Sequence, residues 1–184
     1  MAIYIPYELK YTTPTVGLFI PDDDYLKFLE NLDHYLSCEL RFITPEEAKF
    51  QTNVLLSERY PVALLGNDVE IHFMHYKNRS IARRKWKKRA KRIDKSQLIV
   101  KMSIRENKDI EKKEVRFLQL PFKNKLLFTP NEPIHKSLEV IYVPELREIN
   151  NKNIDETPYL KRYINIPNLL KGNFSLKDIV KSPD

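Results

Sequence analysis

The chain has 184 residues, 42% of them hydrophobic and 31% charged, which suits one domain with a buried core and excludes a disordered chain. A single cysteine, Cys38, excludes an intrachain disulfide framework, and only three glycines, Gly17, Gly66 and Gly172, exclude a dinucleotide fingerprint or a P-loop. The net charge is +7, and with no apolar run near the roughly 20 residues of a membrane helix and no signal-peptide pattern at Met1-Ala2-Ile3-Tyr4, a cytoplasmic protein is expected.

In chain order, Thr15–Ile20 is a short apolar run with β-formers and predicts a buried strand. Pro21 and the acids Asp22, Asp23 and Asp24 open a helix, where negative charge suits the N-terminal dipole. Tyr25, Phe28, Leu29, Leu32 and Leu36 continue it at helical spacing to about Cys38. Leu40–Ile43 predicts a strand, and Thr44-Pro45-Glu46-Glu47 has the capping-box pattern of a brief helix. Tyr60–Leu65 and Val69–Tyr76 predict two strands, joined as a hairpin through Gly66-Asn67-Asp68.

A basic helix follows over residues 79–95, capped by Asn78 or Ser80. It carries ten Lys/Arg against one acid, Asp94, whereas the remaining 22 basic and 24 acidic residues sum to −2. The basic character of the protein is therefore local to this element. Gln97–Ile104 predicts a strand with Leu98, Val100, Met102 and Ile104 on one side; Glu111–Leu120 predicts a helix ending at Pro121. Lys125–Thr129 and Leu138–Val143 predict further strands. Residues 144–184 read as an irregular segment with short helices, the last over Phe174–Val180. Strands alternating with helices predict an α/β class: one layered domain over residues 1–184, with a mixed, mostly parallel sheet flanked by helices.

Three constellations bear on chemistry. On the basic helix, Ala82, Trp86, Ala90 and Ile93 form a narrow apolar stripe that docks it, while Arg89 and Arg92 border the stripe. Planar guanidinium suits bidentate phosphate recognition, so Arg89 and Arg92 are candidate phosphate-binding residues. On the strand before it, Glu70 and His72 share a face and could form an acid/base pair, while His75 lies near the carboxyl end, where open α/β sheets place ligands. His72 and His75 face opposite ways, which makes a poor metal site. Asp22-Asp23-Asp24 contains the Asp-x-Asp pattern, but helix N-terminal charge explains it and no metal site is assigned. Cys38 is read as a small buried residue without a histidine partner.

Thr13-Pro14-Thr15-Val16-Gly17-Leu18-Phe19-Ile20, Asp24-Tyr25-Leu26-Lys27-Phe28-Leu29, Tyr60-Pro61-Val62, Asp68-Val69-Glu70-Ile71 and His75-Tyr76-Lys77 carry a resemblance. It continues through Ala82, Lys85-Trp86, Arg89 and Arg92-Ile93, and through Leu120-Pro121-Phe122-Lys123-Asn124-Lys125 to Phe128-Thr129. From about Tyr11 to Ile166 the chain resembles a bacterial family of unknown function whose members are named as exopolysaccharide-biosynthesis proteins or WlaX-like acetyltransferases. The resemblance implies an α/β protein of capsule or exopolysaccharide gene sets, and a transferase acting on an activated sugar or acyl donor. Similar proteins begin with an extra strand and a Ser-Asn-Asn-Cys-x-Gly-Gly-like segment, so residues 1–12 are read as a shortened N-terminus.

The expected partner is a phosphate-bearing sugar donor or lipid-linked acceptor, held by Lys85, Arg89 and Arg92. Acid/base function would come from His75, or from Glu70 with His72, and Asp68 would orient a ligand hydroxyl. Nothing in the residues selects a cofactor, or acetyl-CoA over a nucleotide sugar, or an oligomeric state. The rival expectation is a non-catalytic basic module that meets the anionic inner leaflet or, less well, nucleic acid, since the helix carries no exposed Asn/Gln pattern for base reading.

Overall fold

The computed structural model describes residues 13–50, 60–149, 156–170 and 175–181. The protein is α/β, as its alternating pattern predicts. Its chain divides into two compact units, Met1–Ile93 and Asp94–Asp184. The strands form two three-stranded sheets, one antiparallel and one parallel, and each belongs to one unit. The predicted shortened N-terminus, residues 1–12, lies outside the described residues.

In the first unit, Thr15–Ile20 is not a strand. Gly17 at φ +71° turns the chain, Leu18 N–H donates to the Thr15 carbonyl, and only Phe19 pairs with a strand, through two bonds to His72. Helix α1, Asp22–Glu30, starts on the three aspartates and buries Leu26, Phe28 and Leu29. The predicted continuous helix breaks at Asn31, whose φ of −130° is not helical, and α2 covers Leu32–Ser37. Strand β1, Leu40–Ile43, is followed by a 3-10 turn at Pro45–Glu47, where Thr44 N–H donates to the Glu47 carboxylate at 2.7 Å.

Strands β2, Val62–Leu65, and β3, Val69–His72, make the expected hairpin, and the sheet runs β1-β2-β3, antiparallel throughout. Its turn needs two left-handed residues, Gly66 at +61° and Asn67 at +70°, residue types that tolerate this region. All eight residues of β2 and β3 are buried, so this hairpin is the centre of the unit. Strand β3 stops four residues short of Tyr76: Phe73 N–H still bonds the Pro61 carbonyl in register, but Pro61 has no N–H to return the bond, and Tyr76 N–H turns back to the Phe73 carbonyl.

Helix α3, Arg79–Ala90, is capped by Asn78, whose side chain accepts the Ile81 N–H at 2.9 Å. It ends five residues before the predicted limit. Ala82 and Trp86 are buried, and the Trp86 ring lies 6.2 Å from Phe28 and 6.5 Å from Phe73. The predicted apolar stripe therefore anchors a helix whose other faces are almost entirely cationic.

In the second unit, β4 (Ile99–Ser103), β5 (Asn124–Thr129) and β6 (Val140–Tyr142) run parallel in that order, with α4 (Ile110–Leu118) between the first two. Val100, Met102 and Ile104 are buried on one side, as their alternation predicts. Buried Lys125 donates to the Leu118 and Leu120 carbonyls at 2.6 and 2.7 Å, closing the C-terminal end of α4. Short helices α5 (Leu146–Ile149), α6 (Thr157–Tyr163), α7 (Ile166–Leu170) and α8 (Leu176–Ile179) complete it.

Candidate functional site

The predicted acid/base pair forms, but inside the protein. Glu70 and His72 are each 0% exposed, and the Glu70 Oε1 to His72 Nε2 distance is 2.8 Å. Glu70 also accepts the Lys49 N–H at 2.7 Å and the Phe50 N–H at 2.9 Å, while its own N–H donates to Asp24 at 2.7 Å. Burial alone would raise the Glu70 pKa; His72 and the two backbone donors outweigh it and hold the carboxyl below its ordinary value. A carboxylate at Oε1 requires a proton on His72 Nε2, and the Tyr60 hydroxyl lies within hydrogen-bond distance of Nδ1, at 3.2 Å. Phe19, Phe50 and Tyr60 surround the imidazole edge to face. Every side-chain polar atom of the pair is matched by protein, which makes it a brace tying β3 to α1 and to residues 49–50.

Asp68 is elsewhere. It sits in the hairpin turn before β3, accepts the Tyr35 hydroxyl at 3.1 Å and pairs with Lys27 at 3.3 Å. His75 follows the other end of β3, so the strand separates the two. Asp24, the last acid of the Asp-x-Asp pattern, receives the Glu70 N–H, and Asp22 is buried. Burial pushes Asp24 above its ordinary value, and the Glu70 N–H, Lys49 and Lys27 oppose this without cancelling it. Among the described residues no group of His, Cys, Asp and Glu is arranged to hold a metal.

Three of the predicted site residues do come together, around Tyr76, a member of the resemblance motif to which the sequence pattern assigns no chemical role. Tyr76 is buried, and its hydroxyl donates to the Val16 carbonyl at 3.1 Å. Arg89 Nη1 donates to that same hydroxyl at 2.7 Å and to the Val16 carbonyl at 3.4 Å. Lys85 Nζ lies 5.3 Å from the centre of the Tyr76 ring. Exposed His75 covers Gly17: a Cβ built there would stand 3.5 Å from His75 Cδ2 and 3.9 Å from Tyr76 Cε2. Burial pushes the Tyr76 phenol up and the neighbouring Arg89 opposes it, so the hydroxyl keeps its proton to donate.

The spacing explains the assembly. Lys85 and Arg89 are four residues apart on one flank of α3, beside the Trp86 stripe, so docking the stripe carries both cations to the turn holding Gly17. Arg92 lies beyond the end of α3, where its N–H donates to the Arg89 carbonyl at 2.9 Å, and its side chain is exposed. The cluster thus offers a pinned guanidinium, an ammonium and an exposed imidazole on one patch, a set suited to a phosphate and a proton acceptor.

Cys38 has a partner after all. Its Sγ is 3.6 Å from His34 Nε2, one helical turn earlier, and the thiol is half-buried. The four-residue spacing was the available signal.

Residues 1–171 match the family model described as a domain of unknown function, DUF1919. The chain belongs to this family. It is also 37% identical over 120 residues to an uncharacterised protein of Haemophilus influenzae, a match covering 65% of this chain and 52% of that one. The chain thus spans about half the length of this curated relative. Among the described residues no helix is long and apolar enough to cross a membrane.

Proposed function

We propose that this DUF1919 protein binds a phosphate-bearing ligand at the His75–Lys85–Arg89 cluster, and that it acts in surface-polysaccharide biosynthesis as a transferase on an activated sugar or acyl donor. The observation that carries the binding reading is Arg89, half-buried at the helix flank and held by the Tyr76 hydroxyl beside an ammonium and an imidazole. A guanidinium already fixed in direction loses little freedom on meeting a phosphate. In this role Arg89 and Lys85 take the donor phosphates, and exposed His75 removes the proton from an acceptor hydroxyl. Glu70, His72 and Asp68 support the site from a distance by holding β3 in place. The polysaccharide setting and the transfer step rest on the exopolysaccharide-protein resemblance of the motifs at residues 13–20, 75–77 and 82–93.

The test is thermal shift of the purified protein with UDP-glucose, acetyl-CoA and undecaprenyl phosphate. At least one is expected to raise the melting temperature in the natural protein and to raise it less in Arg89→Ala. No shift by any of the three defeats the reading.

A second reading rests on the outward face of α3, where Arg84, Lys88 and Lys91 are exposed. These suit an anionic lipid surface, with each basic residue contributing about 1 kcal/mol near the membrane. Vesicles containing phosphatidylserine should then sediment the protein at low salt, Arg84→Ala/Lys88→Ala should weaken this, and Arg89→Ala should not.

A further inference from the structure

The opposite flank of α3 faces an open cavity of about 730 Å³, a size typical of ligand pockets. Three arginines line it: Arg41 from β1, and Arg79 and Arg83 one turn apart on α3. Phe42 forms part of its wall, with the guanidinium carbons of Arg83 and Arg79 lying 5.1 and 5.9 Å from its ring centre. Each arginine is also fixed by one hydrogen bond: Arg79 to the Ile43 carbonyl at 3.2 Å, Arg83 to the Leu40 carbonyl at 3.4 Å, and Arg41 to Asn67 Oδ1 at 3.0 Å.

What these groups lack, among the described residues, is an ion-pair partner in direct contact: none of the three pairs with a carboxylate. Glu39, the acid in the cavity wall, is bonded to Lys87 at 2.6 Å. Glu47 is near enough for Arg41 and Arg79 to lower its pKa, though behind its own bonds to Thr44. Carbonyl bonds and one aromatic ring orient guanidinium groups without neutralising them, and each fork has five donors, of which one is used here. Three like charges around one cavity repel one another, and an anion that enters relieves this while filling the donors.

We propose that this cavity is a second binding site, for the phosphate or diphosphate group of an organic ligand, held by Arg41, Arg79 and Arg83 with Phe42 as the supporting wall. It lies across the Trp86 stripe from Lys85 and Arg89, goes beyond the reading proposed for that cluster, and stands or falls separately from it. A protein that joins two phosphate-bearing substrates, or carries one beside an effector, needs two such sites.

Cys38 lines the same cavity and is the single cysteine of the chain, so occupancy can be read locally. The rate of Cys38 alkylation by iodoacetamide is measured while pyrophosphate, inorganic phosphate or UDP is added at constant ionic strength. Saturable protection is expected, strongest with the diphosphates. In Arg79→Gln/Arg83→Gln the concentration needed should rise at least roughly tenfold, the equivalent of one lost charge-assisted bond. Protection should persist in Arg89→Ala, whose loss would instead register in the UDP-glucose thermal shift. Diphosphate protection above that of inorganic phosphate assigns an organic diphosphate; equal protection by both assigns a simple phosphate group. If Trp86 fluorescence shows that the double variant is misfolded, Arg41→Gln serves, because its side chain bonds only Asn67 among the described residues. No protection beyond that of sodium chloride, or undiminished protection in the folded arginine variants, would overturn the proposal.

Discussion

Replacing Glu70 by Gln tests whether the buried Glu70–His72 pair is a brace. In the native protein Oε1 accepts from Phe50 N–H and His72 Nε2, and Oε2 accepts from Lys49 N–H. Glutamine has nearly the same shape but only one acceptor oxygen, so its amide NH₂ must face either Lys49 N–H or both donors at Oε1. The smaller loss removes one charge-assisted bond, about 1.5–3 kcal/mol, and strands one part-buried donor, Lys49 N–H, about 1–3 kcal/mol. The net cost should be about 3–5 kcal/mol, a large part of the stability of a unit this size. Urea unfolding followed by Trp86 fluorescence is the assay, because Trp86 is the one tryptophan of the chain and sits in the same unit, under Phe28 and Phe73. The pH dependence has a definite sign. The folded Glu70 pKa lies below its ordinary value of 4.5, so its contribution is present above that value and lost as pH falls through the lower, folded one. Glu70→Gln should flatten that acid limb. A cost below about 0.5 kcal/mol, the range of an unconstrained surface change, would refute the brace.

Other expectations follow from single contacts. Gly17→Ala should cost about 1–2 kcal/mol in the same Trp86 transition, because φ is +71° while the contacts of the added methyl, at 3.5 Å and beyond, are ordinary. Asn78→Ala removes the cap on Ile81 N–H and should cost about 1 kcal/mol, whereas Asn78→Asp should be nearly neutral. In the second unit, Lys125→Met leaves the Leu118 and Leu120 carbonyls without their donor and should lower stability by about 2–3 kcal/mol, measured by near-UV tyrosine signals. Glu156, bonded by Lys101, Ser103 and Arg105, is raised by burial but more strongly lowered by those two cations. It should stabilise this unit above its ordinary pKa and cease to as pH falls, a dependence absent in Glu156→Gln.

Much of the first unit was legible because its signals are local. The Asn78 cap, the Trp86 stripe and the cationic flanks of α3 all sit within one segment, and Glu70 and His72 face the same way because they are two apart on a strand. Burial was not legible. The rings that enclose His72 come from Phe19, Phe50 and Tyr60, in separate segments, so alternation revealed the pair but not its isolation from ligand. Gly17 overrode the apolar character of Thr15–Ile20, since a left-handed residue ends a strand whatever its neighbours favour. Likewise Asn31 divided a helix whose apolar spacing ran on unbroken. The division of the strands between two sheets depends on long-range pairing, which periodicity does not report. Arg41 meets Arg79 and Arg83 only through the fold, and their cavity had no counterpart in the linear charge count.

On the proposed function Arg89 is a ligand-holding group and not one more solvated cation. Calorimetric titration, at fixed ionic strength, of the donor that gives the thermal shift tests this most directly. It compares Arg89→Ala with Arg84→Ala, an equal charge loss on the outward face of α3, each in the Arg79→Gln/Arg83→Gln background so that the second cavity does not contribute. Saturable binding is expected, weakened at least roughly tenfold by Arg89→Ala and little changed by Arg84→Ala. Equal weakening by both substitutions, or by neither, would contradict the account.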